Sequence, residues 1–392
     1  MKCTRYFAIE DGKLVGEGAD YLVKEMKSSQ YLLLGEYHHS YQISKLTGAL
    51  IPVLHNAGYR SMALEVGPES VKILKELSKV PEKVAGNLHA FNTKYHVILD
   101  SSIYVPIPFF ENTEDAAFLK ELAKYNWNLI GLDQEFIISY LPLLEKMQTN
   151  LGDKQKQQLT EAYLKAQRVI KEAYKTENDG GKEIQETLSE SVDFYNYLEL
   201  SSYRNKTNKK IADALRKTTS IYLKSVKKQY LEQNTERVSY MKENLANYIS
   251  GNKYDCKHDK MFLKMGSVHS GRGFSPLSLY EIGNTISELA AYHGNKSLHI
   301  SINSRFYVDK EIEIDELSDT TSYGYRLKPF LQMGKRDKWT LIDLRPLKYR
   351  VFYSREYKLE ELILNIFKGY DIYLIPPVDI EPTLNLSRNA GE

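Results

Sequence analysis

The sequence predicts an α/β protein in which a central, mostly parallel β-sheet is flanked by helices and an all-helical insertion caps the carboxyl edge of the sheet. Residues 1–140 and 251–392 alternate short apolar runs with helical patterns, which is typical of βαβ units. Residues 141–250 carry no strand signal and show polar helical patterns instead. We therefore expect a discontinuous α/β core domain, residues 1–140 plus 251–392, and a helical insertion, residues 141–250.

The composition is that of a folded protein without a strong electrostatic bias. Of the 392 residues, 42% are apolar and 27% are charged, which are ordinary values for a globular chain. The net charge of +2 gives no general reason to expect nucleic acid or an anionic membrane as a partner. The two cysteines, Cys3 and Cys256, exclude a disulfide scaffold and suit a reducing compartment.

The start of the chain, MKCTRYFAIEDGKL, lacks the apolar core of a signal peptide. No apolar run approaches the roughly 20 residues that are needed to span a bilayer. We therefore expect a cytoplasmic protein with no membrane partner.

The first segment contains three strands that alternate with helices. Tyr31–Leu34 is a short apolar strand, and Ser40 can cap the helix that follows it. That helix should stop at Gly58, which suits a left-handed backbone. Arg60–Leu64 reads as the second strand and Asn128–Leu132 as the third. A further helix is expected between them, over Glu114–Tyr125.

The insertion begins with an amphipathic helix and then changes its charge. Apolar residues at helical spacing between Leu159 and Ala173 form one stripe, and ENDGG ends this helix. Residues 182–200 contain five acids and one lysine, whereas residues 204–228 contain nine bases and one aspartate. The pattern favours two helices that face each other with opposite charge. A basic lid over an anionic ligand is the alternative, and no motif supports nucleic-acid binding.

The last segment returns to the α/β pattern. Met261–Met265 is a strand that leads into GSVHSGRGFSP, where Ser275 and Pro276 suit the start of a helix running to about Tyr292. Three further strands are expected, at Leu298–Ile302, Thr340–Leu344 and Ile372–Ile375.

Ionisable residues follow the predicted strands at the point where each strand ends. They are Glu36 and His39 after the first strand, Glu65 after the second, Asp133 after the third, and His269 after the strand from Met261. Right-handed βαβ crossovers make the strands parallel, so their carboxyl ends share one edge. Open parallel sheets bind ligands outside that edge. The sequence therefore predicts a shared site there.

The nine histidines are not equivalent in this pattern. In LLLGEYHHS, His39 is favoured over His38 because Glu36 lies three residues earlier on the same turn, and a neighbouring carboxylate would fix the tautomer of the imidazole. His38 is left as a substrate-binding candidate. The remaining candidates without such a setting are interpreted as loop or surface histidines: His89, His96, His293 and His299. HSGRG, with Arg272, reads either as a ligand loop or as a tight turn.

The chemistry open to these residues is limited. The sequence has no GxSxG elbow, no CxxC or HExxH pattern, and no GxGxxG or P-loop after a strand. Carboxylates and histidines remain, and they can activate water by general base catalysis or hold a divalent metal. No cofactor is required by this pattern, with a divalent metal as the open alternative.

Five segments occur in this order: LLLGEYHHS followed by a helix and GYRSMALE, then NTEDAAFLKELAKYNWNLIGLDQE, ERVSYMKENLANYI, FLKMGSVHSGRG and LIDLRPL. Together they resemble the erythromycin esterase-like family. The resemblance implies a water-activating hydrolase in which His39 is the general base and Glu36 and Glu65 line the site. It also implies that Arg237 and His269 orient the substrate or stabilise negative charge, as preorganised donors do at an oxyanion.

The sequence also departs from that family. His38 and Ser40 stand where the family has threonine and glycine, and the arginine expected in the next helix is absent, with Lys45 as the nearest base. A different substrate pocket is therefore expected, with Asp133 and Arg272 as further substrate-binding candidates. Relatives in this superfamily include haem-binding and metal-dependent peptidase members.

Two functions follow. The first is a hydrolase that attacks an ester, lactone or related acyl bond of a small molecule with water activated by His39. The basic segment of the insertion favours an anionic substrate. The alternative is a non-catalytic protein that binds a metal, haem or a small ligand in the same cleft, and a metal-dependent hydrolase lies between the two.

Overall fold

The computed structural model describes residues 3–251, 254–353 and 359–387. The chain forms two compact units. The first unit comprises Met1–Glu65, Asn112–Ile130 and Ala246–Leu384, and the second comprises Val66–Glu111, Gly131–Leu245 and Asn385–Glu392.

The chain divides at other places than the sequence predicts. Val66–Glu111 belongs to the second unit, together with most of the predicted insertion. This segment reads as part of the βαβ pattern, but its helices pack against helices of the second unit and it adds no strand to the large sheet. It also forms a small two-stranded sheet, so the second unit is not purely helical.

The structure has thirteen strands in its described residues. They are β1 (Thr4–Glu10), β2 (Lys13–Val15), β3 (Tyr31–Glu36), β4 (Tyr59–Leu64), β5 (Val97–Leu99), β6 (Ser102–Tyr104), β7 (Asn128–Gly131), β8 (Lys260–Gly266), β9 (Ser297–Ile302), β10 (Phe306–Asp309), β11 (Ile312–Asp315), β12 (Trp339–Asp343) and β13 (Ile372–Ile375).

Nine of these strands form one sheet, in the order β2-β1-β12-β13-β9-β3-β8-β4-β7. The centre is parallel: β3 pairs with β8 and with β9, β8 pairs with β4, and β9 pairs with β13. The edge formed by β2, β1, β12 and β13 is antiparallel. The predicted α/β class with a mostly parallel sheet is confirmed.

The helices fill the chain between the strands. They are α1 (Glu17–Lys27), α2 (Tyr41–Asn56), α3 (Pro68–Leu77), α4 (Val84–Tyr95), α5 (Thr113–Lys124), α6 (Tyr140–Thr149), α7 (Asp153–Asn178), α8 (Ile184–Glu190), α9 (Val192–Ser202), α10 (Lys206–Val226), α11 (Tyr230–Gly251), α12 (Ser267–Ser270), α13 (Ile282–Tyr292), α14 (Tyr323–Arg326), α15 (Lys328–Leu331), α16 (Arg345–Tyr353) and α17 (Glu361–Gly369). Short 3-10 turns lie at Pro81–Lys83 and Ile137–Ser139.

The ends of α2 follow from their sequence. The Ser40 hydroxyl accepts a hydrogen bond from the Ile43 N–H at 3.0 Å, as an N-cap should. Gly58 has φ of 95°, which lets the chain reverse after the helix. The prediction for α13 is wrong at its start, because Ser275 and Pro276 lie in a turn. There the Ser275 N–H donates to the Leu279 carbonyl, and the helix begins at Ile282.

The centre of the sheet is apolar and buried. All six residues of β3 are buried, because β8 and β9 flank the strand within the sheet. Strands of parallel sheets are buried on both faces, which explains the continuous leucine run of Leu32–Leu34. The residues that follow β3 therefore start from a fixed position at the carboxyl edge of the sheet.

The oppositely charged segments of the second unit do pack together. The basic helix α10 contacts both α8 and α9, which carry the acidic residues. However, Lys217 and Lys224 of α10 pair with Glu236 of α11, at 3.1 and 2.6 Å. The contact among these helices is instead supported by buried apolar residues such as Phe194 and Leu215. None of the helices in the described part of the chain is long and apolar enough to cross a membrane.

Candidate functional site

Three predicted site residues meet at one edge of the sheet in the first unit. Glu36 ends β3, Glu65 directly follows β4, and His269 lies on the short helix α12 that directly follows β8. These strands are neighbours in the order β3-β8-β4 and run parallel, so their carboxyl ends lie together. The topology therefore delivers these side chains to the edge where parallel sheets bind ligands.

Glu65 lies between two imidazoles. Its Oε1 is 3.5 Å from Nε2 of His269, and its Oε2 is 3.9 Å from Nε2 of His38. The backbone N–H of Gly266 donates to the same Oε2 at 2.7 Å. The carboxylate is nearly buried, with a side-chain exposure of 6%, so its orientation is fixed by these partners.

Glu36 is held by Lys264 and His38. Lys264 Nζ donates to Oε1 at 2.8 Å and lies 2.6 Å from Oε2, while His38 Nδ1 lies 3.3 Å from Oε1. Burial opposes ionisation, but Lys264 and His38 outweigh it and lower the pKa of Glu36 below its usual range. Glu36 is therefore an anion at neutral pH.

His269 continues the series on the other side. Its Nδ1 is 2.9 Å from Oε2 of Glu281, which is fully buried. The Ser275 hydroxyl donates to the other Glu281 oxygen at 3.1 Å. Together the residues form a continuous row of charged and imidazole groups, which we call the acid–imidazole chain: Lys264, Glu36, His38, Glu65, His269 and Glu281.

The two adjacent histidines take different positions. His38 Nδ1 lies 3.3 Å from Oε1 of Glu36, in the position beside this carboxylate that the sequence favours for His39. The side chain of His38 is 30% exposed. His39 is exposed and has a left-handed backbone with φ of 62°, a conformation that is uncommon outside glycine. One histidine is therefore enclosed by carboxylates, and the next is presented outward.

The turn that carries these histidines is tied to the far end of the chain. Asp379 accepts hydrogen bonds from the hydroxyls of Tyr37 and Ser40, both at 2.5 Å, and from the Gln42 N–H at 3.0 Å. The Gln42 amide also donates to the Val378 carbonyl at 3.0 Å. Asp379 is 4% exposed, and burial raises its pKa. It fixes the residues on both sides of His38 and His39.

Sequence reasoning missed three of these residues: Lys264, Glu281 and Asp379. A signal existed for Lys264, because a lysine inside the apolar strand KMFLKMG requires a buried partner. Glu281 and Asp379 gave no comparable signal, since their partners lie in distant parts of the sequence.

Arg237 and Asp133 are paired in the second unit. Arg237 Nε donates to Oδ1 of Asp133 at 2.9 Å, and Nη2 donates to Oδ2, which makes a two-pronged ion pair. Two residues after Asp133, Glu135 is fully buried against the start of α3, where it accepts from the N–H groups of Glu69 and Ser70. Burial raises the pKa of Glu135 to about 7, despite these hydrogen bonds and that from the Ser70 hydroxyl.

Arg272 is occupied by other protein groups. It forms a two-pronged pair with Asp371 at 2.9 and 2.7 Å and donates to the Ser297 carbonyl at 2.8 Å. This engagement argues against the substrate-binding role that the sequence predicts, and it neutralises the guanidinium charge.

His299 is not a surface histidine. It is fully buried on β9, with Nδ1 2.7 Å from the Ser270 carbonyl and Nε2 2.9 Å from the Ser297 hydroxyl. Burial, followed by the charge of Arg272, lowers its pKa to about 3, so it is neutral at physiological pH. The interpretation as a surface residue is wrong because this polar residue is satisfied within an apolar strand.

Metal binding was the other possibility that the sequence left open. Within residues 3–251, 254–353 and 359–387, no group of three or more His, Cys, Asp or Glu side chains is arranged to hold a metal ion.

The structure is similar to three solved structures along nearly the whole chain. A protein from Bacillus cereus is 14% identical, with a TM-score of 0.58 and coverage of 97% of this chain and 96% of that one. A mutant of erythromycin esterase EreC in its open conformation is 14% identical, with a TM-score of 0.60 and coverage of 98% and 100%. A succinoglycan biosynthesis protein is 15% identical, with a TM-score of 0.57 and coverage of 97% and 96%.

The sequence itself matches no family model, and no curated protein matches it significantly. At 14–15% identity, the structural likeness establishes the fold and leaves the activity open. It agrees with the motif resemblance, which predicted the same fold from the order of five segments. The chain therefore has the erythromycin esterase-like α/β fold.

Proposed function

We propose that the protein is a hydrolase that uses an activated water molecule to split an ester, a lactone or a related acyl bond of a small molecule. The observation that carries the proposal is the acid–imidazole chain at the carboxyl edge of the sheet. The chain engages His38, and the adjacent His39 is presented on the same turn as a candidate general base. The fold shared with a protein named as an esterase supports the same reaction class.

His39 is the proposed general base. Both nitrogens of His38 face carboxylates, at 3.3 Å from Glu36 and 3.9 Å from Glu65, so its imidazole is engaged within the acid–imidazole chain. His39 is exposed and projects from a left-handed turn, so a substrate and a water molecule can reach it.

The proposed reaction needs only a water molecule as co-substrate. The His39 imidazole takes a proton from water while the water oxygen forms a bond to the acyl carbon. The resulting oxyanion collapses, the bond from the acyl carbon to the leaving oxygen breaks, and the imidazolium returns its proton to that oxygen. The products are an acid and an alcohol.

The other residues have supporting roles in this proposal. Glu36 and Glu65 line the site and hold His38 between them, and His269 donates toward developing negative charge with its orientation fixed by Glu281. Charge stabilisation by Arg237 rests on the family resemblance alone, and Arg237 lies in the second unit, paired with Asp133.

A panel of acyl esters and lactones, neutral and anionic, tests the proposal. We expect the purified protein to hydrolyse at least one of them, and His39→Ala to lose the activity while its melting temperature stays within a few degrees of wild type. His258→Ala is the matched control, since His258 is an exposed histidine outside the acid–imidazole chain. It should retain full activity.

Three results would contradict the proposal. His39→Ala could keep its activity, it could unfold, or no acyl substrate could be turned over. The metal-dependent alternative is distinguished by metal analysis and by a chelator. If a chelator abolishes the activity and a divalent metal restores it, the metal and not His39 activates the water molecule.

A further inference from the structure

A second concave site lies in the first unit, beside the acid–imidazole chain but outside it. This concave surface borders about 600 Å³ of empty space, part of which is open to solvent. Its walls are the loop from Ser267 to Pro276, the end of β9 with Ser301 and Asn303, and the face of α17 with Asn365. No step of the proposed hydrolysis uses it.

The described residues that line this pocket offer no free charge. Among them, Arg272 is the one with a permanent charge, and its guanidinium is paired with Asp371 at 2.9 and 2.7 Å. Burial raises the pKa of the lining tyrosines Tyr323 and Tyr370, so both hydroxyls are neutral. Within this described lining, a phosphate or carboxylate ligand would find no unpaired cation, and a cationic ligand would find no carboxylate.

The lining is nevertheless rich in neutral hydrogen-bonding groups. Asn303 and Asn365 provide amides, and Ser301 provides a hydroxyl. These groups can both donate and accept, which suits a ligand that carries several hydroxyls.

Two aromatic rings in the lining are largely open to solvent. Phe274 is 59% exposed and Tyr323 is 58% exposed. The electron-rich face of an aromatic ring attracts positively polarised C–H groups, and a saturated ring with many oxygens presents such groups on its flat faces. The lining thus combines amide groups with exposed aromatic rings, and neither a lipid nor an anion would need both.

We propose that this pocket binds a neutral, polyhydroxylated saturated ring, of which a pyranose sugar unit is the chemical type. The ring would contact Phe274 or Tyr323 with one face and direct its hydroxyls to Asn303 and Asn365. This inference goes beyond the proposed hydrolysis and does not depend on it, because binding here requires no turnover.

Titration of the full-length protein with a panel of methyl pyranosides, followed by ligand-observed NMR and calorimetry, tests the proposal. We expect at least one pyranoside to bind with one-to-one stoichiometry, and at least tenfold more tightly than its sugar phosphate or cyclohexanol. Phe274→Ala and Asn365→Leu should each weaken binding at least tenfold, which corresponds to about 1.4 kcal/mol. Tyr292→Ala, at an exposed tyrosine outside the pocket, should change nothing.

Each other outcome would overturn the inference. These outcomes are no binding by any pyranoside, equal binding by cyclohexanol, tighter binding by the sugar phosphate, or unchanged affinity in both pocket variants. Phe274 is exposed, so Phe274→Ala remains informative even if Asn365→Leu fails to fold. His39→Ala should bind the pyranoside with wild-type affinity, so failure of the hydrolase proposal leaves this one standing.

Discussion

Lys264 and Glu36 form an ion pair inside the sheet edge, with Nζ 2.6 Å from Oε2 and each side chain only 5% exposed. The two residues lie on the paired strands β8 and β3. Removing a lysine and a glutamate from water is expensive, and their attraction repays that cost only when both are present. This pair therefore anchors the acid–imidazole chain at one end.

Substitution of one partner should cost far more than substitution of both. We expect Lys264→Met and Glu36→Gln each to lower the free energy of unfolding by about 3–5 kcal/mol, because each leaves a buried charge uncompensated. The double variant should lie much closer to wild type. Urea unfolding of the four proteins gives the coupling energy, and simple additivity of the two losses would refute the buried-pair interpretation.

The low pKa of Glu36 predicts a sensitivity to acid. An acid whose pKa is lower in the folded state than in the unfolded state stabilises the fold above its ordinary value near 4.5, and that stabilisation disappears as the pH falls through the folded pKa. The wild type should therefore lose stability below about pH 4.5, and the double variant Glu36→Gln with Lys264→Met should lose less. Unfolding midpoints between pH 3 and 6 would show this difference.

The two adjacent histidines should respond differently to truncation. His38→Ala removes the group between Glu36 and Glu65, so we expect it to lower the free energy of unfolding by roughly 1–3 kcal/mol. It should reduce turnover without abolishing it. His39→Ala should have the opposite profile, with little change in stability and complete loss of turnover. If His38→Ala abolishes turnover while His39→Ala retains it, the assignment of the general base must be reversed.

Glu135 predicts a pH dependence of the opposite sign. Its pKa is raised to about 7 from an ordinary 4.5, so the folded state holds a proton that the unfolded state releases. Stability should therefore fall as the pH rises from about 4.5 to about 7. Glu135→Gln should flatten this part of the stability profile, whereas the exposed control Glu82→Gln should leave it unchanged. An identical profile in Glu135→Gln would show that another group is responsible.

Asp379 is expected to act through the histidine turn. Asp379→Ala removes the acceptor of three hydrogen bonds from Tyr37, Ser40 and Gln42, so the turn should open more often. We expect a fall in kcat with a smaller change in KM, and faster amide exchange over residues 37–42.

Asp379→Asn should recover part of the activity, since an amide oxygen still accepts hydrogen bonds. Asp309→Asn, at an exposed aspartate, is the control for the general effect of losing a charge. Unchanged amide exchange in Asp379→Ala would exclude the positioning role.

The strands at the centre of the sheet could be predicted closely from the sequence, because parallel strands buried on both faces read as short apolar runs. Observed bounds such as Tyr31–Glu36 and Lys260–Gly266 differ from the predicted ones by one or two residues. The edge strands β1 and β2 gave a weaker signal, since they are half exposed and carry polar residues. The start of α13 was misplaced because a serine and a proline serve a turn as well as a helix cap.

The site residues that directly follow a strand could be predicted from the sequence. Glu36, Glu65 and His269 come after apolar strands, so parallel pairing alone brings them together. The choice between His38 and His39 as the neighbour of Glu36 depends on a left-handed turn, which the sequence pattern does not encode. Partners such as Asp379, more than 330 residues from Ser40, become visible only when the chain is folded.

Gly35 has a consequence for the whole edge. A Cβ at this position would lie 3.1 Å from the Ile300 carbonyl oxygen, 3.1 Å from Cα of Ser267 and 3.2 Å from Cβ of Ser270. The short helix that carries His269 therefore packs directly against the main chain of β3, because residue 35 has no side chain. An alanine at this position would push the helix away from the strand and change the distances between the reactive groups. Gly35 is the least reactive residue of the motif, yet it has the least freedom to be substituted.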